Sequence, residues 1–264
     1  MINSSEDFTQ VSVQFVRSRN ALLLTASFSN LFVDIILHLS NIGLKLNQFH
    51  NNQFQAALAS LCLYASTRPP NESIAWTMHF EHPPHNIFIV ADNSLHRVTG
   101  TLFDENIKSL GRDLLFCDWL LPGRQIRRST VEIPFSSSQT PRAMLGAQEL
   151  MLQSEQRPSR YFSLPSDYFA LITAQPDCDL NWLHTLKEKD IPSLPSTEDI
   201  KLLEIRSFRW ECGCNQQKIL EILGPPLSKN LDLFQNGNSV QLRCPRCGSP
   251  YTIERSELEK LTNN

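Results

Sequence analysis

Four cysteines crowd the last fifth of the chain. Cys212-Gly213-Cys214 is followed, after 29 residues, by Cys244-Pro245-Arg246-Cys247. Thiolates are soft ligands, and four of them fill a tetrahedral zinc sphere with no position left for water. Such a centre is structural or redox-active, not hydrolytic. The second pair falls between two strand-like runs, Ser239–Leu242 and Tyr251–Ile253, the layout of a tight knuckle whose sulfurs and amides face one ion. The first pair is C-x-C, shorter than the C-x-x-C of ordinary zinc ribbons, which crowds its two sulfurs into a cramped chelate. All four sulfurs stay nucleophilic toward peroxide or hypochlorous acid. The 53 residues from Cys212 onward are too few to hold a core unaided. Zinc binding supplies on the order of 10–16 kcal/mol toward folding such a module. We therefore expect one zinc ion, held by Cys212, Cys214, Cys244 and Cys247 in the reduced state.

Other chemistry-bearing residues read differently. Cys62 and Cys117, two of the three remaining cysteines, sit in apolar runs and read as packing residues. Cys178 is a further redox target near a change in composition. His79, Glu81, His82 and His85 flank Pro83-Pro84 and read as an exposed hairpin end, not a metal site. Arg124, Arg127 and Arg128 read as a solvated face. Arg243, Arg246 and Arg255 lie near the cysteines but among Glu211, Glu254, Glu257 and Glu259. With a net charge of −3 the chain lacks the basic footprint of a nucleic-acid binder. No apolar run reaches the roughly 18 residues of a membrane span, and the opening residues have no basic n-region. A cytoplasmic location is expected. There is no G-x-S-x-G, P-loop or dinucleotide fingerprint, so no enzyme class is supported.

The elements that must position the cysteines follow from periodicity. With 264 residues, 41% hydrophobic and 19% charged, the chain can build one large domain and a smaller appendage. It has only nine glycines, half of the roughly 18 that average usage gives, and its sixteen prolines punctuate the loops instead. Val11–Phe15 alternates as a strand. Helical spacing predicts one helix from Phe28 to Leu39 and another from Asn52 to Ala65. Ile74–Phe80, Ile87–Ala91 and Arg97–Leu102 predict a meander, extended by Leu114–Leu120 and Thr130–Ile133. A helix over 141–156 precedes strands at Tyr161–Leu164 and Phe169–Ala174. Helices and strands mix without βαβ alternation, so the fold class is α+β. An N-terminal α+β domain is expected over 1–179, a helical linker over 180–206 and a zinc-binding domain over 207–264. Trp182, Leu183 and Leu186 suggest one short helix in the linker, and Ile200, Leu202 and Leu203 another. Ser256 and Glu259 form a capping box for a final helix.

The C-x-C, some thirty residues, then C-x-x-C near the end of the chain resembles the redox-regulated thirty-three-kilodalton heat-shock protein (chaperonin) family. Three stretches add to it. Residues 151–159 keep Ser154-Glu155-Gln156, similar to the family's Y-F-x-x-S-E-Q. Residues 171–176 end in Gln175-Pro176, where the family has a glycine-rich strand ending in Gln and Pro. Residues 244–261 follow its last hairpin and helix. The likeness runs from about residue 45 to the end and is strongest over the last 55. It departs where the family is glycine-rich: of the G-x-V-R-G-Y-like stretch only Gly100 is kept, and Ala170–Ala174 replaces a glycine pair. The resemblance implies a holdase chaperone that binds unfolding proteins under oxidative stress. It further implies Cys212–Cys214 and Cys244–Cys247 disulfides on oxidation, loss of zinc, and a homodimer in the oxidised state. Trp182, Leu183, Leu186 and Leu203 would then be uncovered for clients. The competing reading is a constitutive zinc-binding interaction module without redox switching.

Overall fold

The structure, a computed structural model, describes residues 8–121, 123, 125–136, 140–228 and 237–257, with backbone alone over 223–228. It opens on β1 (Thr9–Val16), which returns through Asn20, in left-handed conformation at φ 48°, into β2 (Ala21–Ser27). Helices α1 (Ser29–Asn41) and α2 (Gln48–Ala65) follow. The expected meander comes next as β3 (Ser73–Glu81), β4 (Pro84–Asp92) and β5 (Arg97–Phe103), then β6 (Leu114–Leu120) and β7 (Arg127–Glu132). Helix α3 (Arg142–Gln153) leads to β8 (Ser159–Leu164) and β9 (Tyr168–Ala174). Two short helices, α4 (Leu180–Thr185) and α5 (Leu194–Thr197), precede β10 (Ile200–Trp210). Helix α6 (Gln216–Ser228) and the hairpin β11 (Ser239–Arg243) and β12 (Pro250–Glu254) complete the described chain. The fold is α+β.

Ten strands form one sheet, ordered β7-β6-β3-β4-β5-β10-β1-β2-β9-β8. Every pairing is antiparallel except β5 with β10, which are parallel and meet only at Arg97↔Arg209 and Val98↔Trp210. The sheet curls around α2. Thirteen of that helix's eighteen residues are buried, and from Ala56 to Ala65 every residue is, so it serves as the central post. Asn47 starts it by accepting the backbone N–H of His50 at 2.8 Å. Its far end is tied by a polar network: Glu155 accepts from Tyr64 Oη at 2.9 Å and Arg68 Nη1 at 2.8 Å, while Trp119 Nε1 donates to Tyr64 Oη at 2.8 Å. The Ser-Glu-Gln stretch thus knits α3 to α2 and β6. A second core, on the β1-β2-β9-β8 half, gathers Val16, Leu23, Phe162 and Ile172 with Leu183, Leu186, Ile191 and Leu194.

Three expectations are corrected. Ile200, Leu202 and Leu203 do not start a helix; they lie on β10, which fills the gap between β1 and β5. Main-chain pairing with β1 over eight residue pairs overrides a local apolar spacing that suited a helix. The hairpin-end histidines are not all exposed: His79 is 3% and His85 0% accessible. His85 stacks on Phe80 at 4.5 Å, and His79 is held by Asn86 Oδ1 at 2.8 Å and Glu81 Oε1 at 2.9 Å. Finally, β2 and α6 form where no element was expected. Arg124 and part of the Ser256–Glu259 capping box lie outside the described residues.

Candidate metal centre

The two cysteine pairs reach the same point from opposite sides. Beyond β10 the chain turns through Gly213, whose φ of +65° is open to glycine at little cost. Asn215 then caps α6, its Oδ1 accepting the backbone N–H of Lys218 at 2.9 Å, while Lys218 Nζ donates back to Gly213 O at 2.9 Å. Cys212 and Cys214 are thereby fixed between a strand end and a helix start. The second pair sits on the β11–β12 turn, closed by Gly248 N–H to Cys244 O at 2.8 Å and Cys244 N–H to Ser249 O at 2.8 Å. Gly248, at φ +78°, makes that turn.

The four sulfurs all lie within 4.8 Å of one another. Cys212 and Cys244 are 3.7 Å apart, Cys214 and Cys247 3.5 Å. Metal–sulfur bonds of about 2.3 Å in a tetrahedron place sulfurs roughly 3.8 Å apart, so the set fits one thiophilic divalent ion. The charge pattern agrees. Cys247 is held far below the usual thiol range by hydrogen bonds from Cys212 and Cys244, while Cys212 is pushed up, first by its hydrogen bond with Cys244. Four close thiols cannot all ionise without a cation. Around them, Tyr251 Oη donates to Cys214 Sγ at 3.0 Å, and Ser249 Oγ lies 3.2 Å from Cys247 Sγ. Ile219 and Ile253 complete the small core under Cys244 and Cys247. Cys62 and Cys117 are fully buried at a distance from it, and burial raises both thiols. Cys178 is half-buried, and burial raises its pKa too.

The centre is docked, not tethered. His38 on α1 donates from Nε2 to Cys247 O at 2.8 Å, and its ring packs 5.5 Å from Trp210. A Cβ on Gly248 would come within 3.3 Å of Ile42 Cδ1 and 3.5 Å of Leu44 Cδ1, so the knuckle sits flush on the α1–α2 connection. On the other side Glu211 bridges Arg97 at 2.9 Å and Arg209 at 2.6 Å. A cavity of about 190 Å³, lined by Leu95, Arg97, Thr99 and Arg246, opens onto Cys212, Cys214 and Cys244. Sequence reasoning picked out the four cysteines that the structure brings together but missed His38 and Tyr251. Tyr251 could have been caught by strand alternation beside the knuckle; nothing local marks His38. Of the residues expected to meet clients, Leu183 and Leu186 are buried in the second core, and Trp182 lies half-buried under the Arg19 guanidinium at 5.6 Å. Leu203 stands apart on β10, 50% exposed. Of the nearby arginines, Arg243 is spent on Gly248 O at 3.2 Å.

No family model matches the chain. A 33 kDa chaperonin from Vibrio vulnificus is 25% identical over 88 residues, 30% of each chain. A second 33 kDa chaperonin, from Mannheimia succiniciproducens, is 26% identical over 106 residues, 36% of this chain and 32% of the relative. The matched segments thus span about a third of the length of these curated relatives. The solved 33 kDa chaperonin (heat shock protein 33 homolog) of Thermotoga maritima superposes with a TM-score of 0.72 at 13% identity, covering 97% of this chain and 98% of that one. These findings bear out the resemblance carried by the cysteines, and the whole chain shares that fold. Among the described residues no helix is long and apolar enough to cross a membrane.

Proposed function

We propose that this chain, a divergent relative of the 33 kDa chaperonins, is a redox-regulated holdase that binds unfolding proteins, with one zinc ion in its reduced form. The observation that carries the reading is the four-sulfur cluster, with Cys212–Cys244 and Cys214–Cys247 sulfurs 3.7 and 3.5 Å apart, held against α1 and the α1–α2 connection at His38 and Gly248. When bound, zinc supplies a cross-link between two chain segments 29 residues apart. Oxidation removes the ligands. Each disulfide takes two thiolates and passes two electrons to one peroxide, which, with two protons, leaves as two waters. The pairs are Cys212–Cys214 and Cys244–Cys247, the domains are 1–179, 180–206 and 207–264, and the oxidised form is a homodimer.

Loss of the cross-link removes most of the stability of the C-terminal module, whose fully buried core is small. For Trp182, Leu183, Leu186 and Leu203 to become a client surface, the segment from Leu180 to Glu204 must then leave the second core, where Leu183 and Leu186 are buried, and part from β1. No bond of the client is made or broken, so the protein is not an enzyme. Its partners are unfolded polypeptides, not nucleic acid or membrane, and its setting is the reducing cytoplasm.

The test treats the reduced protein with peroxide under mild heat and follows zinc release with a chromogenic chelator, beside suppression of aggregation of a denatured client. The two signals should rise together, and peptide mapping should find both disulfides. Retention of zinc, or its loss without any suppression, would leave only a constitutive zinc-binding module.

A further inference from the structure

The cavity beside the cysteines has walls from two parts of the molecule. On β5, Val98 turns into the large core, so its neighbours Arg97 and Thr99 face the other way, toward the cysteine module. Val90, opposite Thr99 in the β4–β5 pairing, joins them. The module contributes Cys212, Cys214 and Cys244, whereas Cys247 does not line the cavity. The Arg97 guanidinium crosses the C-x-C turn so closely that a Cβ on Gly213 would lie 2.9 Å from its Nη1. Thr99 is 1% exposed, and among the described residues neither its Oγ1 nor Arg97 Nε has a hydrogen-bond partner. Native proteins leave few buried polar atoms unmatched, so two at one cavity mark bonding capacity kept for a guest.

Size and lining set the chemistry of that guest. The volume of about 190 Å³ far exceeds the roughly 10–15 Å³ that one water needs, and an apolar cavity of about 150 Å³ takes up benzene. One wall is aliphatic, formed by Val90, Leu95, Ile219 and Ile222, and Leu95 and Ile222 also reach solvent. The other wall holds the cysteines and Arg97. A molecule with a hydrocarbon body and an oxidising oxygen at one end matches both walls. Hydrogen peroxide has no body to set against the first.

We infer that this cavity binds organic hydroperoxides and aims them at the C-x-C pair, both members of which line it, whereas the second pair lends only Cys244. One thiolate of the pair attacks the terminal oxygen of the hydroperoxide. The S–O bond forms, the O–O bond breaks, and the alkoxide takes up a proton and leaves as the alcohol. The second thiolate then attacks the sulfenic sulfur, the S–S bond forms, and hydroxide leaves with a second proton as water. Two electrons pass from the sulfurs to the hydroperoxide. Thr99 and Arg97 are positioning residues, their spare donors directed to the departing oxygen. This assignment rests on the redox reading of the same sulfurs and adds the class of oxidant they receive.

Stopped-flow zinc release from the reduced, full-length protein, with cumene hydroperoxide and with hydrogen peroxide, tests it. The wild-type chain should react faster with cumene hydroperoxide by about tenfold, the factor that roughly two buried methylene groups supply. Leu95→Asn combined with Ile222→Asn should abolish that preference without moving the thermal transition, since both side chains are exposed. Thr99→Val should slow the organic reaction, and Thr99→Ser should restore it. One equivalent of cumene hydroperoxide should give chiefly the Cys212–Cys214 disulfide in peptide maps. Cumyl alcohol, the product, should shift the Val90 and Thr99 methyl signals of the reduced protein in NMR spectra. If hydrogen peroxide releases zinc but cumene hydroperoxide has no advantage, or the double variant keeps that advantage, the site is overturned while the redox reading stands. If neither peroxide releases zinc, the redox reading falls and the site falls with it.

Discussion

The core around α2 and the core around the four sulfurs are built on opposite terms. The first joins residues from Val11 on β1 to Phe208 on β10, with Trp76, Tyr64, Phe54 and Phe80 fully buried among them. It closes by area: large side chains from every part of the chain exclude water together. The second has, among the described residues, four buried members, Ile219, Cys244, Cys247 and Ile253, and two of these belong to the four-cysteine set that could hold a metal ion. Its four sulfurs are close enough together to close it by coordinating one ion. A unit held by area fails gradually as contacts are lost, whereas a unit held by one ion fails at once when its ligands change chemistry. A switch therefore belongs in the second region and a scaffold in the first.

The sharpest break in that comparison is Cys244→Ser. Removing one of four ligands should abolish stoichiometric zinc, whose binding is worth on the order of 10–16 kcal/mol to such a module. Limited proteolysis should then cut beyond residue 179 while the N-terminal domain stays resistant. The converse change, Phe54→Ala, opens a cavity in the large core. It should cost about 3–5 kcal/mol of global stability in urea titration, with zinc content unchanged. If Phe54→Ala also released the metal, the two regions would be one cooperative unit.

A third test uses pH to address the large core alone. His85 is buried against Phe80, donates from Nδ1 to Pro83 O at 2.7 Å, and has an Nε2 without a partner. Burial, more than the neighbouring His50 and Arg142, pushes its pKa down to about 4. The unfolded chain takes up the proton near pH 6.5 and the folded one only near 4. Stability is therefore full above pH 6.5, falls as pH drops from 6.5 to 4, and loses on the order of 3 kcal/mol over that window. His85→Phe should flatten this slope.

The smallest effect belongs to the seam. Gly248→Ala places a Cβ at φ +78° and 3.3 Å from Ile42 Cδ1, which should cost about 1–2 kcal/mol. Hydrogen exchange should rise in the β11–β12 hairpin and at His38, and nowhere else.

How much of this was legible beforehand differs between the two regions. The clustering of the four cysteines could be read directly because a coordinating set is marked by residue type and short spacing, both local properties. The meander from β3 to β5 was equally readable, since alternation and turn residues are local too. The buried histidines were not. His79 and His85 flank a turn that reads as exposed, and only Asn86, Glu81 and Phe80, brought round by β3–β4 pairing, give them a dry setting. Leu202 and Leu203 misled for the same reason, because helical spacing competed with a partner strand nearly two hundred residues away.

The chain's own order of residues thus determined which cysteines could share a metal ion, the α+β class, and the placement of most strands and of helices α1 to α3. Tertiary structure alone decided that β10 crosses the sheet beside β1, that His38 grips the knuckle from α1, and that Tyr251 hydrogen-bonds Cys214. The reason is range: ligand spacing and periodicity are written within a few residues, whereas docking depends on contacts whose partners lie far apart in sequence and meet only when the fold closes.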